Sequence, residues 1–265
     1  MMLPVFDIGV NLTSSQFAKD CPEVIDSALQ AGVAGMMVTG TTLAESQAAS
    51  QIAQQYPNQL FCTAGVHPHY ACEFQPEDLD KLRALHALPH VLAVGECGLD
   101  FNRDFSPRDV QQAVFEQQIQ LAIALGKPIF MHQRDAHDCF MEVIQPYSQQ
   151  LKSAVVHCFT GTQQEMQDYL DLGFYIGFTG WICDERRGVE VKALTAQVPD
   201  NRLLIETDAP YLLPRDLKPK PKSRRNEPKF LPHILTTIAD VRGEAPEALA
   251  EQIWHNSQKF LQITL

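Results

Sequence analysis

The 265-residue sequence has no long hydrophobic run, and no apolar stretch approaches the ~18 residues needed to cross a bilayer. Its N-terminus lacks the basic and apolar regions that are typical of a signal peptide. Its seven cysteines include no C-x-x-C pair, so the sequence suggests neither a zinc knuckle nor a disulfide framework. We therefore expect a cytoplasmic protein with free thiols and no membrane partner.

Positive charge is also scarce, because 21 Lys and Arg residues stand against 32 Asp and Glu, which gives a formal net charge of −11. This balance argues against a protein that coats nucleic acid by electrostatics alone, although a nuclease can still have a locally basic cleft. The sequence has no Walker loop, no G-x-S-x-G motif and no dinucleotide-binding fingerprint, so kinases, serine hydrolases and dehydrogenases have little support.

Four short apolar runs end in a residue that can bind a metal ion or move a proton. These residues are Glu96, His132, His157 and Asp208. About 25 to 50 residues separate one run from the next, which is the length of a βα unit. One such histidine alone is more often a hydrogen-bonded structural residue, but four residues at equivalent strand ends favour a metal-centred hydrolase.

The order of apolar runs and helix signals predicts eight βα units. The predicted strands cover residues 4–10, 35–39, 60–66, 91–96, 128–132, 154–157, 175–178 and 203–208. The predicted helices cover residues 24–31, 43–56, 76–88, 107–125, 136–147, 163–172, 232–241 and 246–261. Because no low-complexity linker divides these units, we predict an α/β fold, a TIM-like (β/α)8 barrel that forms one domain over residues 1–265.

The chemistry of the predicted site follows from its donor atoms. Glu96, His132 and His157 offer one oxygen and two imidazole nitrogens, which can hold a divalent ion and leave positions for water and substrate. Asp208 is a further ligand or the base that takes a proton from water, and the sequence leaves both roles open. Two imidazoles and a carboxylate suit Zn or Mn better than Mg, which prefers oxygen ligands.

Residues beside these ligands have predicted roles of their own. Cys97 and Cys158 directly follow two ligands, so the alternation of a strand should point them away from the site. Glu206 shares the face of Asp208 and is expected to orient a ligand. His67 and His69 lie on another strand end, where they contact phosphate, order a water or serve a structural role.

Several motifs carry a resemblance to a known family. They are residues 6–12 (FDIGVNL), 65–68 (GVHP), 95–100 (GECGLD), 131–132 (MH), 157–161 (HCFTG), 206–210 (ETDAP) and 225–228 (RNEP). In this order they resemble the TatD family of metal-dependent deoxyribonucleases. The resemblance implies an amidohydrolase-like barrel and a cytoplasmic, magnesium-dependent exonuclease that degrades single-stranded DNA and RNA from the 3′ end. It also implies a role in repair after oxidative damage to DNA.

The resemblance also implies that Glu96, His132 and His157 are metal ligands and that Asp208 is a catalytic or metal-binding aspartate. Most members of the family begin with a His-x-His pair on strand one, but this sequence has Gly9 and Asn11 at those positions. We therefore expect one firmly held ion, with a second ion only when a substrate phosphate completes its ligands.

A nuclease of this kind also needs groups that hold the strand. The catalytic residues are predicted to be Asp208, Glu96 and His67. The predicted strand-binding residues are His69, Arg186, Arg187, Lys220, Arg224 and Arg225 for the phosphates and Trp181 for base stacking. Five cations between Lys218 and Arg225 contribute to this prediction, although a solvated loop would explain them equally well.

Two other functions remain open at this stage. The same barrel and metal ligands can hydrolyse amides or small esters, since fold does not determine substrate. A non-catalytic binding or quality-control partner is the second alternative. The basic loop favours a phosphate-bearing substrate over a neutral amide. The family resemblance implies that this substrate is single-stranded DNA and RNA and that the enzyme is an exonuclease, and we expect a monomer.

Overall fold

The computed structural model describes residues 4–264. Eight parallel strands lie in one sheet in the order of the chain. They are β1 (Val5–Val10), β2 (Val33–Val38), β3 (Leu60–Ala64), β4 (Val91–Asp100), β5 (Ile129–Arg134), β6 (Ala154–Val156), β7 (Tyr175–Phe178) and β8 (Leu203–Ile205). The amide of Asp208 donates to the carbonyl of Gly9 at 2.9 Å, and the amide of Asn11 donates to that of Ala209 at 2.8 Å. These bonds bring the two edges together, so the predicted barrel is confirmed.

Helices separate the strands along the chain. Within residues 4–264 they are α1 (Cys21–Gln30), α2 (Leu43–Gln55), α3 (Asp78–Leu85), α4 (Arg108–Leu125), α5 (His137–Ile144), α6 (Gln163–Asp171), α7 (Val189–Leu194), α8 (Leu231–Arg242) and α9 (Pro246–Leu261). Thr162 begins α6 with a capping box, because its hydroxyl accepts from the amide of Glu165 at 3.3 Å and the Glu165 carboxylate accepts from its amide at 2.6 Å. Gly126 ends α4 at a φ of +62°, which suits glycine.

The predicted elements differ from the observed ones at a few ends. The sequence did not predict α7, because a six-residue helix is too short to show an apolar period. Strand β4 continues past Glu96 to Asp100, which pairs with Arg134 of β5. Strand β8 ends at Ile205, where its partner Phe178 ends β7. Asp208 therefore lies in the segment after the strand.

The strands separate two apolar layers. The outer layer lies between the strands and the surrounding helices. The inner cluster, which we call the floor, comprises Phe6, Ile8, Met37, Ala93, Phe130, Val155, Tyr175, Leu204, Phe260 and Leu261. Because its members come from strands all round the sheet, they can meet only inside the barrel. The end of α9 contributes the last two residues, so this helix covers one end of the barrel.

Candidate metal centre

The carboxyl ends of the strands surround a cluster of buried polar groups. Oxygen Oε1 of Glu96 lies 2.8 Å from His157 Nε2, 3.2 Å from His67 Nε2 and 3.3 Å from His132 Nδ1. The structure thus brings three of the four predicted ligands to one point and adds His67. We call these four residues and Asp208 the mouth.

Asp208 lines the same pocket as the three histidines and Glu96. Its Oδ1 accepts a hydrogen bond from Asn11 Nδ2 at 2.9 Å, so Asn11 positions the carboxylate. Its backbone has a φ of +53°. The preceding residue, Thr207, is held by Asp7, which accepts from its amide at 2.9 Å and from its hydroxyl at 2.5 Å. These contacts direct the Asp208 side chain into the mouth.

Glu206 has the contact that the sequence predicted for it. Its Oε2 lies 3.2 Å from His157 Nδ1, and its Oε1 accepts from the amide of Cys158 at 2.6 Å. A β-carbon at residue 9 would lie 2.1 Å from Glu206 Oε2. Gly9 therefore leaves the space that Glu206 occupies, and a histidine at residue 9 would require Glu206 to move.

Asp100 belongs to the site, although it lies beyond the predicted strand 91–96. Its Oδ2 lies 2.7 Å from His69 Nε2 and 3.3 Å from His132 Nε2. Its Oδ1 accepts from the amides of Asn102 and Arg103, which fixes the carboxylate. Its spacing could have indicated this role, because Asp100 lies four residues after Glu96 and therefore on the same face of strand β4.

The two cysteines beside the ligands behave differently. Cys97 is buried in the layer below the helices and points towards the carbonyl of Phe130, as predicted. The prediction for Cys158 was wrong, because its side chain lines the pocket of the mouth. Strand β6 ends at Val156, and Cys158 has a φ of +47°, so the alternation of side chains no longer applies at this position.

Charges in the mouth act strongly on one another. Burial would raise the pKa of Glu96, but the charges of His157 and His67 and the hydrogen bonds of the imidazoles hold it well below its usual value. Burial would lower the pKa of His157, but Glu96 and Glu206 raise it well above its usual value. Glu96 is therefore a carboxylate throughout the neutral range, and it attracts positive charge.

The donor set fits a divalent cation. Ligand atoms of His67, Glu96 and His132 lie within 4.8 Å of one another. His132 Nε2 is buried and makes no aligned hydrogen bond among the described residues, despite its 3.3 Å separation from Asp100. Several neutral imidazoles around one carboxylate are the ligands of Zn or Mn more than of Mg. A cation here would replace the positive charge that protonated imidazoles supply.

The pocket above these groups has a volume of about 560 Å³, which is within the usual range for a small-molecule site. Besides the mouth, it is lined by Asn11, Thr13, Ser14, Ser15, Thr41, Glu45, His69, Tyr70, Cys158 and Tyr211. Of the predicted strand-binding residues, only His69 belongs to this pocket. It can therefore reach a ligand held by the mouth.

Three of the other six predicted strand-binding residues, Trp181, Arg187 and Arg224, line a second groove of about 420 Å³, which we call the arginine groove. Its lining is Gly180, Trp181, Asp184, Arg187, Leu212, Leu213, Arg215 and Arg224. The Arg187 guanidinium lies 4.5 Å from the centre of the Trp181 ring. Arg186 and Arg187 both bond to Asp184, which neutralises part of their charge. Arg215 also lines the groove and was not predicted to bind the strand.

The remaining predicted cations lie apart from both cavities. Arg225 bonds to Asp20 at 2.7 Å and to Glu227 at 2.9 Å, so it ties its loop to the segment before α1. The sequence could not predict the ion pair between Arg225 and Asp20, because the two residues are distant in sequence. Lys220 is exposed on the same loop.

Among the described residues, every helix is too short or too polar to pass through a lipid bilayer.

Comparison with known proteins gives consistent results. The family model for TatD related DNase matches residues 6–262. A Citrobacter rodentium protein named 3′-5′ ssDNA/RNA exonuclease TatD is 56% identical over 98% of this chain and 99% of its own length. A protein of the same name from Salmonella typhimurium is 54% identical over 98% of this chain and 99% of its own length.

Solved structures show the same likeness. A hydrolase of the TatD family from Entamoeba histolytica has a TM-score of 0.89 at 28% identity and covers 98% of each chain. The TatD homologue YJJV from Escherichia coli has a TM-score of 0.89 at 25% identity over 100% of each chain. The matches span almost the whole sequence and agree with the motifs, so this chain belongs to the TatD family of DNases.

Proposed function

We propose that this protein is a metal-dependent exonuclease that hydrolyses phosphodiester bonds of single-stranded DNA and RNA from the 3′ end. The observation that carries the proposal is the approach of three imidazoles to one oxygen of Glu96 at the base of an open pocket. The direction of digestion and the choice of nucleic acid rest on the names of the similar bacterial proteins.

Glu96, His132 and His157 would hold the ion, with Asp208 and His67 beside it. A bound divalent ion lowers the pKa of water and polarises a phosphoryl oxygen. The family resemblance implies magnesium, whereas the imidazoles favour zinc or manganese. Glu206 holds Nδ1 of His157, which leaves Nε2 directed at the centre.

Asp208 is the proposed base. Burial raises its pKa to about 7, and the charges of Glu206 and Glu96 act in the same direction, whereas His157 opposes them. A carboxylate with this pKa can accept a proton from water near neutral pH. Asn11 holds one of its oxygens, so the other is available to the pocket. His67 would order the attacking water beside Glu96.

The strand would leave the mouth along the arginine groove. His69 lies in the pocket, while Arg187, Arg224 and Trp181 line the groove. Arg186, Lys220 and Arg225 stay proposed phosphate contacts outside the lining of both cavities, and Arg225 would have to leave Asp20 and Glu227 to make one. Cations at this location suit a polyanionic substrate and give no advantage to a neutral amide. A cytoplasmic location, a monomeric state and a role in DNA repair stay predictions.

The direct test uses single strands of DNA and RNA that are labelled at either the 3′ or the 5′ end, with Mg, Mn or Zn. We expect the 3′ label to appear first in mononucleotides and His157→Ala to abolish its release. His255→Ala is the matched control, because His255 is an exposed histidine of α9. Early release of the 5′ label would refute the direction, and full activity of His157→Ala would refute the site.

A further inference from the structure

A second cluster of metal-ligating side chains lies outside the mouth. Cys183 ends the short turn Gly180–Cys183 after β7, Asp216 lies in the segment after β8, and His233 is in the first turn of α8. One ligand atom from each lies within 4.8 Å of the other two. Three segments that are distant in sequence therefore place a sulfur, an oxygen and a nitrogen at one point.

The contacts within the cluster are close to those of a ligand set. His233 Nε2 lies 2.7 Å from Asp216 Oδ1. The Cys183 sulfur lies 3.5 Å from the hydroxyl of Thr237, one turn along α8 from His233. Tetrahedral ligands at about 2.0–2.3 Å from zinc are separated by less than about 4 Å, so only small side-chain movements are needed.

Burial differs among the three residues in a way that allows an ion to enter. Cys183 is buried with 3% exposure. The side chains of Asp216 and His233 are 41% and 32% exposed. The softest donor is thus at the base and the two harder donors face solvent. A surface pair of aspartate and histidine alone would be ordinary, but a thiol directed at the same point adds a ligand that selects among metals.

We propose that Cys183, Asp216 and His233 form a second metal site that takes Zn²⁺ or a similar borderline-soft divalent cation. Sulfur, nitrogen and oxygen donors are the ligands of zinc, and water would complete a tetrahedron. Magnesium is disfavoured because it requires oxygen ligands. The site is separate from the mouth in residues and in donor chemistry.

An ion at this position would cross-link the segments that form the arginine groove. The turn that ends at Cys183 carries Trp181, and Asp216 follows Arg215, whose Nε lies 3.6 Å from Asp184. Both segments would be fixed to α8. The ion would therefore hold Trp181 and Arg215 in one relative arrangement. This effect on strand binding rests on the proposed function, whereas metal binding by the cluster does not.

Cobalt(II) is a suitable probe, because a thiolate ligand gives it an intense near-ultraviolet charge-transfer absorption. The purified full-length protein is stripped with a chelator and titrated with cobalt, and zinc is then added as a competitor. We expect a thiolate-to-cobalt band that zinc displaces and that Cys183→Ser lacks. Cys158→Ser is the control, because Cys158 is the thiol that lines the pocket of the mouth.

Variants of Asp216 and His233, the two ligands that face solvent, keep the test decisive even if Cys183→Ser fails to fold. Removal of groups that only support a ligand weakens metal binding about 10–100-fold, so Asp216→Asn and His233→Gln should each weaken cobalt binding at least tenfold. Wild-type affinity in both variants would overturn the proposal, as would the absence of the band from the wild-type protein or its loss in Cys158→Ser.

The same titration separates this site from the proposed active centre. His157→Ala should retain the thiolate-to-cobalt band while it loses nuclease activity, because His157 is not part of the cluster. If the band is absent but the wild-type protein still degrades labelled strands, the second site fails and the proposed function stands. If the band is present but the wild-type protein degrades no strand, the second site stands and the proposed function fails.

Discussion

The mouth and the floor of this barrel share strands, yet they contain opposite chemistry. Strand β5 contributes Phe130 to the floor and, two residues later, His132 to the mouth. The floor removes large apolar side chains from water, which stabilises the fold. The mouth buries carboxylates and imidazoles, which costs solvation energy. The apolar floor therefore supplies stability to the barrel, whereas the polar groups of the mouth are arranged to bind an ion.

Two buried histidines show how the surroundings decide the charge. His86 lies at the end of α3, and its Nε2 is 3.0 Å from the carbonyl of Ala64. Burial, with help from the charge of Lys127, lowers its pKa to about 4. Burial acts on His157 in the same direction, but two carboxylates outweigh it and raise its pKa. Burial alone therefore leaves a histidine neutral, and the neighbouring carboxylates are what make His157 part of a charged centre.

The largest effect is expected from Glu96→Gln, which keeps the shape of the mouth and removes its central charge. We expect nuclease activity to fall by about 10³-fold or more, because a bound metal contributes several kcal/mol to such a reaction. Single-turnover cleavage of an end-labelled oligonucleotide measures the loss. Glu73→Gln, at an exposed position, should match the wild type. Activity of Glu96→Gln within a few-fold of wild type would contradict the proposed centre.

The floor should respond in stability instead. Leu204→Ala removes a fully buried side chain from the inner cluster and should lower the free energy of unfolding by about 2–5 kcal/mol. Urea unfolding measures this change. Activity per folded molecule should stay near that of the wild type, because Leu204 is not among the residues that line the pocket of the mouth. A loss of metal affinity larger than the loss of stability would show that floor and mouth are not separable.

The sequence predicted most of this arrangement because strand ends and alternation are local signals. Glu96, His132, His157 and Asp208 follow apolar runs, and in a parallel barrel such ends must meet. The predictions missed the positions of Cys158 and Asp100 for one reason: where a strand ends depends on the neighbouring strand with which it pairs. Strand β4 is extended by β5, and β6 ends before its ligand. The partners of Arg225 come from pairing across the chain, which no local pattern carries.

His86 tests how burial changes the pKa of a histidine whose shift has no carboxylate among its causes. Its folded-state pKa of about 4 lies below the value of about 6.5 for an exposed histidine, so the unfolded chain binds more protons between these values. This stabilisation is present above pH 6.5 and is lost as the pH falls towards 4. The free energy of unfolding of the wild type should fall by about 2–3 kcal/mol more than that of His86→Gln over this range. Parallel pH profiles of the two proteins would contradict the lowered pKa.

The smallest effect is expected at the edge of the mouth, where Trp181→Ala removes a ring from the arginine groove. Truncation of a stacking residue costs about 1–3 kcal/mol of binding per base. Guanidinium groups of Arg187 and Arg134 already lie 4.5 Å and 5.7 Å from the ring centre, so a stacking base would compete with them. The net loss should therefore be near the lower limit, as measured by fluorescence anisotropy with a labelled oligonucleotide. Val189→Ala, at a nearby exposed apolar residue, should leave affinity unchanged. Equal affinities of Trp181→Ala and wild type would remove Trp181 from the path of the strand.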